Sequence, residues 1–309
     1  MDVHGSERCF TKFLNAGQIY EANCIILGGV LTFKAIVPIV KKSDGKSYAK
    51  FLGESFVLGT EAEVTVLEKR IRSIGFCPYR LNGDLMQEFV EDPKKQEALF
   101  EELVVEMIKR WVALAESKLK GTNIKCFISP GNDDSYQVDK YLSSSNYIIY
   151  PEEKIVQVDD HHEMITLGVS NITPWHCVRD VEESVIENKL EKLISQIKDV
   201  KNCIFNMHVS PYGTLIDMAP KLGVNLKPVP LPTGGLEMIS VGSTAVRKSI
   251  EKYQPMLGLH GHIQESKGVF RIGRTLYINP GSEYTEGVSK GCLIDVNESG
   301  FKDYLLTTG

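Results

Sequence analysis

A basic excess is missing from this chain of 309 residues: 35 Lys and Arg stand against 40 Asp and Glu, a formal net charge of −5. No global positive field recruits nucleic acid or an anionic membrane, so nucleic acid is not indicated as a partner. Long apolar runs are missing too. The longest, from Cys24 to Phe33, is broken by Gly28, Gly29 and Thr32 and falls well short of the roughly 20 residues of a membrane span. Residues Met1 to Gly5 contain neither the basic region nor the apolar segment of a secretory signal, and the expectation is a soluble, cytoplasmic protein without a membrane partner. The seven cysteines include no C-x-x-C pair, which argues against both a disulfide framework and a thiolate zinc site. Cys24 and Cys203 head apolar runs, as small buried hydrophobes in a reducing compartment do. Internal repeats, low-complexity tracts and domain-separating linkers are absent as well, so residues 1–309 read as a single domain.

What is present is an ordinary globular composition, 42% hydrophobic and 24% charged, with material for a sizeable core. Short apolar runs recur, each ending in a Gly, Asn or His cluster: Cys24–Leu27, Ile124–Ile128, Cys203–Met207 and Met256–Leu259. They read as buried strands whose exits carry the polar residues. Asp92 with Pro93 marks a helix start, and Leu99, Leu103, Met107, Trp111 and Ala115 recur every four residues, predicting a long amphipathic helix to about Lys118. Thr60 and Glu63 form a capping-box pattern before a second helix to about Ser73, and a third runs from about Val181 to Ile197. Ser43-Asp44-Gly45-Lys46 is a hairpin signal, Tyr147–Leu167 suggests another strand pair, and Phe270–Ile278 alternates between Gly-rich turns. The fold class is α/β, with an insertion of helix and hairpin over about 36–118.

The chemistry gathers at strand ends. His4, His208, His260 and His262 stand there with Asp2 and Asn132, a set of imidazole, carboxylate and amide donors suited to divalent Zn, Mn or Fe rather than to copper(I). Taken singly, each is as ordinary as a solvated or core histidine, and the argument rests on their succession.

In order along the chain, Asp2-Val3-His4-Gly5, Gly29-Val30-Leu31-Thr32, Gly131-Asn132-Asp133-Asp134, His208 and Gly261-His262-Ile263-Gln264, followed by Asn279-Pro280-Gly281-Ser282, resemble the motifs of the calcineurin-like metallophosphoesterases. The resemblance implies a four-layer α/β/β/α sandwich of two mixed β-sheets. It also implies metal-dependent hydrolysis of phosphomonoesters or phosphodiesters, small phosphate esters above all, by a metal-bound hydroxide. Carried over by position, Asp2 and His4 would hold a first metal, and Asn132, His208 and His262 a second. Asp133 stands where many members carry a histidine that stabilises the leaving oxygen, and His260 is a catalytic or ligand-orienting candidate. Asp133 or Asp134 would otherwise cap a helix beginning near Tyr136.

Four departures accompany these matches. The bridging aspartate of the family falls on Val30, and the last histidine of its Gly-His-x-His motif falls on Gln264. Phe33 is bulky where small residues are usual, and the strand that normally precedes the first motif is not in the sequence. Two dications without a bridging anion repel each other, so the expectation is a centre with one ion or none and a compromised activity, unless Asp134 or Asp44 replaces the lost carboxylate. A non-catalytic phosphate- or metal-binding module on the same fold stays open as the alternative. A homo-oligomer is compatible with either. His161 and His162 beside Asp159 and Asp160 read as a solvated charge run, and Trp175 as packing over a loop.

Overall fold

The computed structural model describes residues 2–83 and 92–309 of the chain; part of the expected insertion, 84–91, lies outside them. The architecture is mixed α/β. Ser6, whose hydroxyl accepts from the Cys9 amide, caps helix α1 (Glu7–Ile19), which leads into strand β1 (Cys24–Gly28). Strands β2 (Ile36–Lys41), β3 (Ser47–Phe51) and β4 (Glu54–Leu58) then form hairpins, and α2 (Glu61–Ser73) and β5 (Cys77–Asn82) follow. The capping box at Thr60 and Glu63 forms as its sequence pattern predicts, each side chain bonded to the other's backbone amide. The long helix α3 (Pro93–Leu119) starts at Asp92, whose carboxylate accepts from the amides of Lys94 and Lys95.

Strand β6 (Lys125–Ser129) pairs in parallel with β1, and helix α4 (Gln137–Ser143) follows its exit loop. The strands β7 (Ile155–Gln157), β8 (Glu163–Leu167), β9 (Ser170–Asn171) and β10 (Asp180–Val181), then α5 (Glu183–Ile194) and β11 (Ile204–Met207), carry the chain onward. A ribbon of β12 (Met218–Pro220) and β13 (Met238–Ser240) precedes α6 (Thr244–Tyr253) and β14 (Leu257–Leu259). The chain closes with β15 (Gly268–Ile272), β16 (Thr275–Asn279) and a hairpin of β17 (Lys290–Asn297) and β18 (Gly300–Thr308). The largest sheet has the order β15-β16-β14-β11-β8-β7, parallel in its centre and antiparallel at both edges. Such a parallel centre accounts for the near-continuous burial of β8 and β11, polar Thr166 and Asn206 included.

Apolar side chains separate into clusters that show what packs on what. One joins α1, α3 and α4 to β1 and β6 through Phe10, Leu14, Ile108, Trp111 and Ile128, with Phe10 and Trp111 stacked at 4.0 Å. A second joins α5 and α6 to the six-stranded sheet through Ile186, Leu190, Phe205, Ile250 and Tyr277. A third lies between the sheets, with Phe127, Ile204, Leu257 and Ile278, and the hairpin β17–β18 packs against it through Ile294 and Leu306. Val37, Ile39, Phe51, Val64 and Ile71 make a separate small core, whereas α3 packs into the first cluster because its apolar stripe faces α1.

All seven cysteines are free, and burial raises their thiols, those of Cys126 and Cys203 to about 12. They are inert packing groups at neutral pH. His162 departs from the solvated run expected for it. It is buried with Nδ1 on the Asp159 carboxylate, because its ring tucks under the turn that Asp159 closes by accepting the amides of His161 and His162. Trp175 does not pack over a loop; it is 63% exposed.

Glu152 gives a measurable consequence of this packing. Its buried carboxyl accepts the Gly168 amide at 2.8 and 2.9 Å, and burial drives its pKa up to about 8 against the pull of that amide and of Arg179, with Glu153 and Asp139 also nearby. The native protein therefore holds a proton that the unfolded chain releases near 4.5. Stability contributed by this group is present below that point and lost as pH rises toward 8. Thermal melts across about pH 5 to 9 should show the wild type losing more stability toward alkaline pH than Glu152→Gln, which mimics the protonated form. Parallel curves would contradict it.

Candidate functional site

Asp2 occupies the middle of a buried polar pit at the exits of β1, β6, β11 and β14. The segment carrying it is fastened to the β1 exit by Val3 and His4 amides donating to the Val30 carbonyl, and Ser282 Oγ donates to the Asp2 carbonyl from the loop after β16. Asp2 Oδ1 accepts the Val30 amide at 3.1 Å. The candidate ligands Asp2, His4, Asn132 and His208 are all buried and His262 is half-buried, so the structure brings the five together. His4 and His262 have φ of 40° and 64°. Left-handed backbone in two non-glycine residues of one site is strain that the surrounding fold maintains.

The two halves of the pit differ. On one side, Gln264 Nε2 lies 2.7 Å from His4 Nε2 and 3.5 Å from Asp2 Oδ2. An amide NH2 carries two hydrogens, and here it donates one to each acceptor, since the reversed amide would set oxygen against carboxylate. Gln264 thus provides neutral donors to the pair that the family resemblance assigns to the first metal.

On the other side no such donor intervenes. Asn132 Nδ2 donates to Asp180 Oδ1 at 2.8 Å, which turns Asn132 Oδ1 toward His208 Nε2 at 3.0 Å. That oxygen only accepts, so His208 carries its proton on Nε2. Its Nδ1 is buried without a partner and lies 3.8 Å from Asp2 Oδ1. A buried imidazole acceptor without a donor among the described residues, set beside a carboxylate oxygen that already takes the Val30 amide, is an arrangement that suits a shared cation. The rings of His208 and His262 stand 5.0 Å apart, and His262 Nε2 lies 3.2 Å from Ser170 Oγ.

Charge states agree with that reading. Burial lowers the imidazoles, His208 to about 3 and His4 to about 4 against the opposing pull of Asp2, and His262 in the same direction. Burial alone would raise the Asp2 carboxyl, but its histidine neighbours, His208 first, outweigh it and hold the group below the carboxylate range. An anionic carboxylate among neutral imidazoles is the protonation state that a metal requires. Among the described residues, no three His, Cys, Asp or Glu side chains stand close enough to hold an ion by themselves. The two acceptors that face each other at short range here are Asp2 Oδ1 and His208 Nδ1.

The other candidates have different placements. A carbon added at Gly131 would meet Cγ2 of Val30 at 2.7 Å and Cε1 of His208 at 2.8 Å, so the side chain at position 30 stands beside the pit with only methyl groups to offer. Asp134 does not replace the missing carboxylate: it is buried and accepts from the amides of Leu31, Thr32 and Gly131 and the Thr32 hydroxyl, binding two strand exits together. It does not cap α4 either, whose start has no side-chain cap. Asp44 is committed to Tyr48 and Lys46 on the exposed hairpin. Asp133 is at the rim, paired with Lys34 at 3.0 Å. His260 does not enter the pit; its Nδ1 lies 3.1 and 3.0 Å from the carbonyls of Met207 and Val209, on either side of His208, so it acts on the strand exit and not on a bound molecule. Phe33 is accommodated by Gly5, where an added carbon would lie 2.6 Å from the Phe33 Cβ, and by edge-on contact with Phe100. Lys34, Ser170 and Asp180 carry no motif signal; only tertiary proximity reveals them.

No family model matches the chain. Over 153 residues it is 31% identical to the uncharacterized protein MJ1162 of Methanocaldococcus jannaschii, a match that takes in 49% of this chain and 61% of that protein's length. Among solved structures it is similar to one chain at a TM-score of 0.45 and 16% identity, over 88% of this chain and 97% of that one. It is also similar to TT1561 of Thermus thermophilus, at a TM-score of 0.41 and 16% identity over 66% and 78%. At these scores neither likeness bears on the site.

Proposed function

We propose that this protein is a phosphoesterase of metallophosphoesterase architecture with one divalent cation, Mn, Zn or Fe, held between Asp2 Oδ1 and His208 Nδ1, with His262 beside them and Asn132 fixing the His208 ring. The observation that carries this reading is the buried His208 Nδ1 facing Asp2 Oδ1 at 3.8 Å without a donor between them. The finer architecture we infer is the four-layer sandwich, supported by apolar clusters outside β1–β6, between the sheets, and outside the six-stranded sheet.

A divalent cation would neutralise ester oxygens and lower the pKa of water at such a site. The chain's own groups have separable tasks. Asp2 and His208 provide acceptors that need no deprotonation at neutral pH. Lys34 places an ammonium at the rim, where it can meet the phosphate group of a small ester, and Asp133 orients that ammonium. Gln264 holds His4 and Asp2 together where a second ion would otherwise stand, which limits the activity. Among the described residues no helix is long and apolar enough to cross a membrane.

Metal titration tests the proposal. The wild type should bind one Mn or Zn per chain by calorimetry and elemental analysis and turn over aryl phosphate esters slowly. His208→Ala should lose both properties. Two tightly held ions would refute the single-cation centre. One ion without turnover of either ester class would favour the binding module, a reading that the Gln264 contacts also support.

A further inference from the structure

The geometry points to Asp180 as a positioning residue that sets the tautomer of His208 through Asn132. Asp180 lies on β10, which pairs in parallel with β9, and the loop between these short strands passes beside the Gly131–Asp134 turn. Both carboxylate oxygens are engaged, unequally. Oδ2 accepts three hydrogen bonds, from the Thr173 amide at 2.9 Å, the Thr173 hydroxyl at 2.6 Å and the Cys177 amide at 2.9 Å. Oδ1 accepts one, from Asn132 Nδ2 at 2.8 Å. The Arg179 amide donates to the Asn132 carbonyl at 2.8 Å, so the same strand holds this residue by backbone and side chain.

A carboxylate accepts only, and this decides every proton further along the chain of contacts. Asn132 must present NH2 to Asp180 and therefore its oxygen to His208; His208 must then carry hydrogen on Nε2 and a lone pair on Nδ1. That lone pair is what faces Asp2. The tautomer follows from these contacts whatever reaction the site performs, whereas its value for holding a cation rests on the reading proposed above.

Asp180→Asn keeps the shape and inverts the logic. Three donors around one oxygen outvote a single donor at the other, so the introduced amide turns its oxygen toward Thr173 and Cys177 and its NH2 toward Asn132. Asn132 must answer with its own oxygen and present NH2 to His208 Nε2. His208 then carries hydrogen on Nδ1, pointed at Asp2 Oδ1 3.8 Å away, which removes the lone pair that a cation would use.

Nitrogen NMR of the metal-free full-length chain labelled in histidine distinguishes the two ring forms, with His208 assigned by the signal missing from His208→Ala. The wild type should show the Nε2–H form, and Asp180→Asn the Nδ1–H form together with at least a tenfold loss of Mn affinity. Asp180→Ala, which removes the anchor without inverting it, should show both forms. An Nδ1–H ring in the wild type overturns the inference even if no variant folds, and so does a folded Asp180→Asn that keeps the Nε2–H ring. If the tautomer changes as expected but neither protein binds Mn, the positioning role stands and the cation reading fails.

Discussion

Val30→Asp combined with Gln264→His should raise hydrolysis of aryl phosphodiesters and phosphomonoesters in excess Mn by about 10²–10³-fold, the scale of one preorganised electrostatic contribution. Val30 stands beside both Asp2 and His208: its amide donates to Asp2, and its methyl lies against the same point of Gly131 as His208 Cε1. The introduced carboxylate would add the anion that lets two dications approach each other. Alone it should help less, because Gln264 still bridges His4 and Asp2 with amide hydrogens. Gln264→His alone should do little, since it opens the first position without an anion to share. Such non-additivity is expected of residues that act as a unit. Steady-state rates and ion stoichiometry measured on all four proteins check this. A double variant that binds two ions and cleaves neither ester would end the phosphoesterase reading.

The difference between these variants also shows where sequence reasoning reaches and where it stops. Asp2, His4, Asn132, His208 and His262 could be found because each ends an apolar strand or opens a Gly turn, and strand exits converge in α/β folds. The helix starts at Thr60 and Asp92 were legible because caps are local chemistry. Asp134 was misread for the opposite reason: its partners, Leu31 and Thr32, lie about a hundred positions away, and proximity to a nearby helix suggested a cap instead. Gln264 looked like a simple loss. Only side-chain geometry shows its two hydrogens placed on Asp2 and His4. Helices α1 and α6 went unread although both have serine caps, because their apolar residues are interleaved with lysine, arginine and glutamate.

Asp134→Ala should be the most destabilising single change near the site. The carboxyl is buried, and its removal strands three backbone amides, those of Leu31, Thr32 and Gly131, with only the Thr32 hydroxyl free to turn elsewhere. Unsatisfied buried donors cost about 1–3 kcal/mol each, and partial relaxation brings the expected loss to roughly 3–5 kcal/mol. A chain of this size should then melt about 5–10 °C lower. Burial raises the Asp134 pKa to about 6 against the pull of the same amides, so the wild type loses stability as pH rises toward that value while Asp134→Asn does not, and the substitution should be milder at alkaline than at acidic pH. Calorimetry of both variants at two pH values measures the effect; a wild-type melting temperature for Asp134→Ala would show that the two strand exits hold together without it.

Asp2 takes one hydrogen bond from Val30 and others from Gln264 and Ser282, and Lys12 donates to the carbonyl of Gly287. A growing polypeptide emerges from the ribosome at about 5–20 residues per second, N-terminus first. The ligand synthesised first therefore waits until the strands that lead to His262 and Ser282 have been made before its last neighbours arrive. Until then β1, β6 and the helices around them can pack as a vectorial intermediate, but the pit has no wall on the side of residues 262–282. If the pit holds the cation proposed above, it could do so only late in synthesis, and a chain that stalls before His262 would lack one wall of the site.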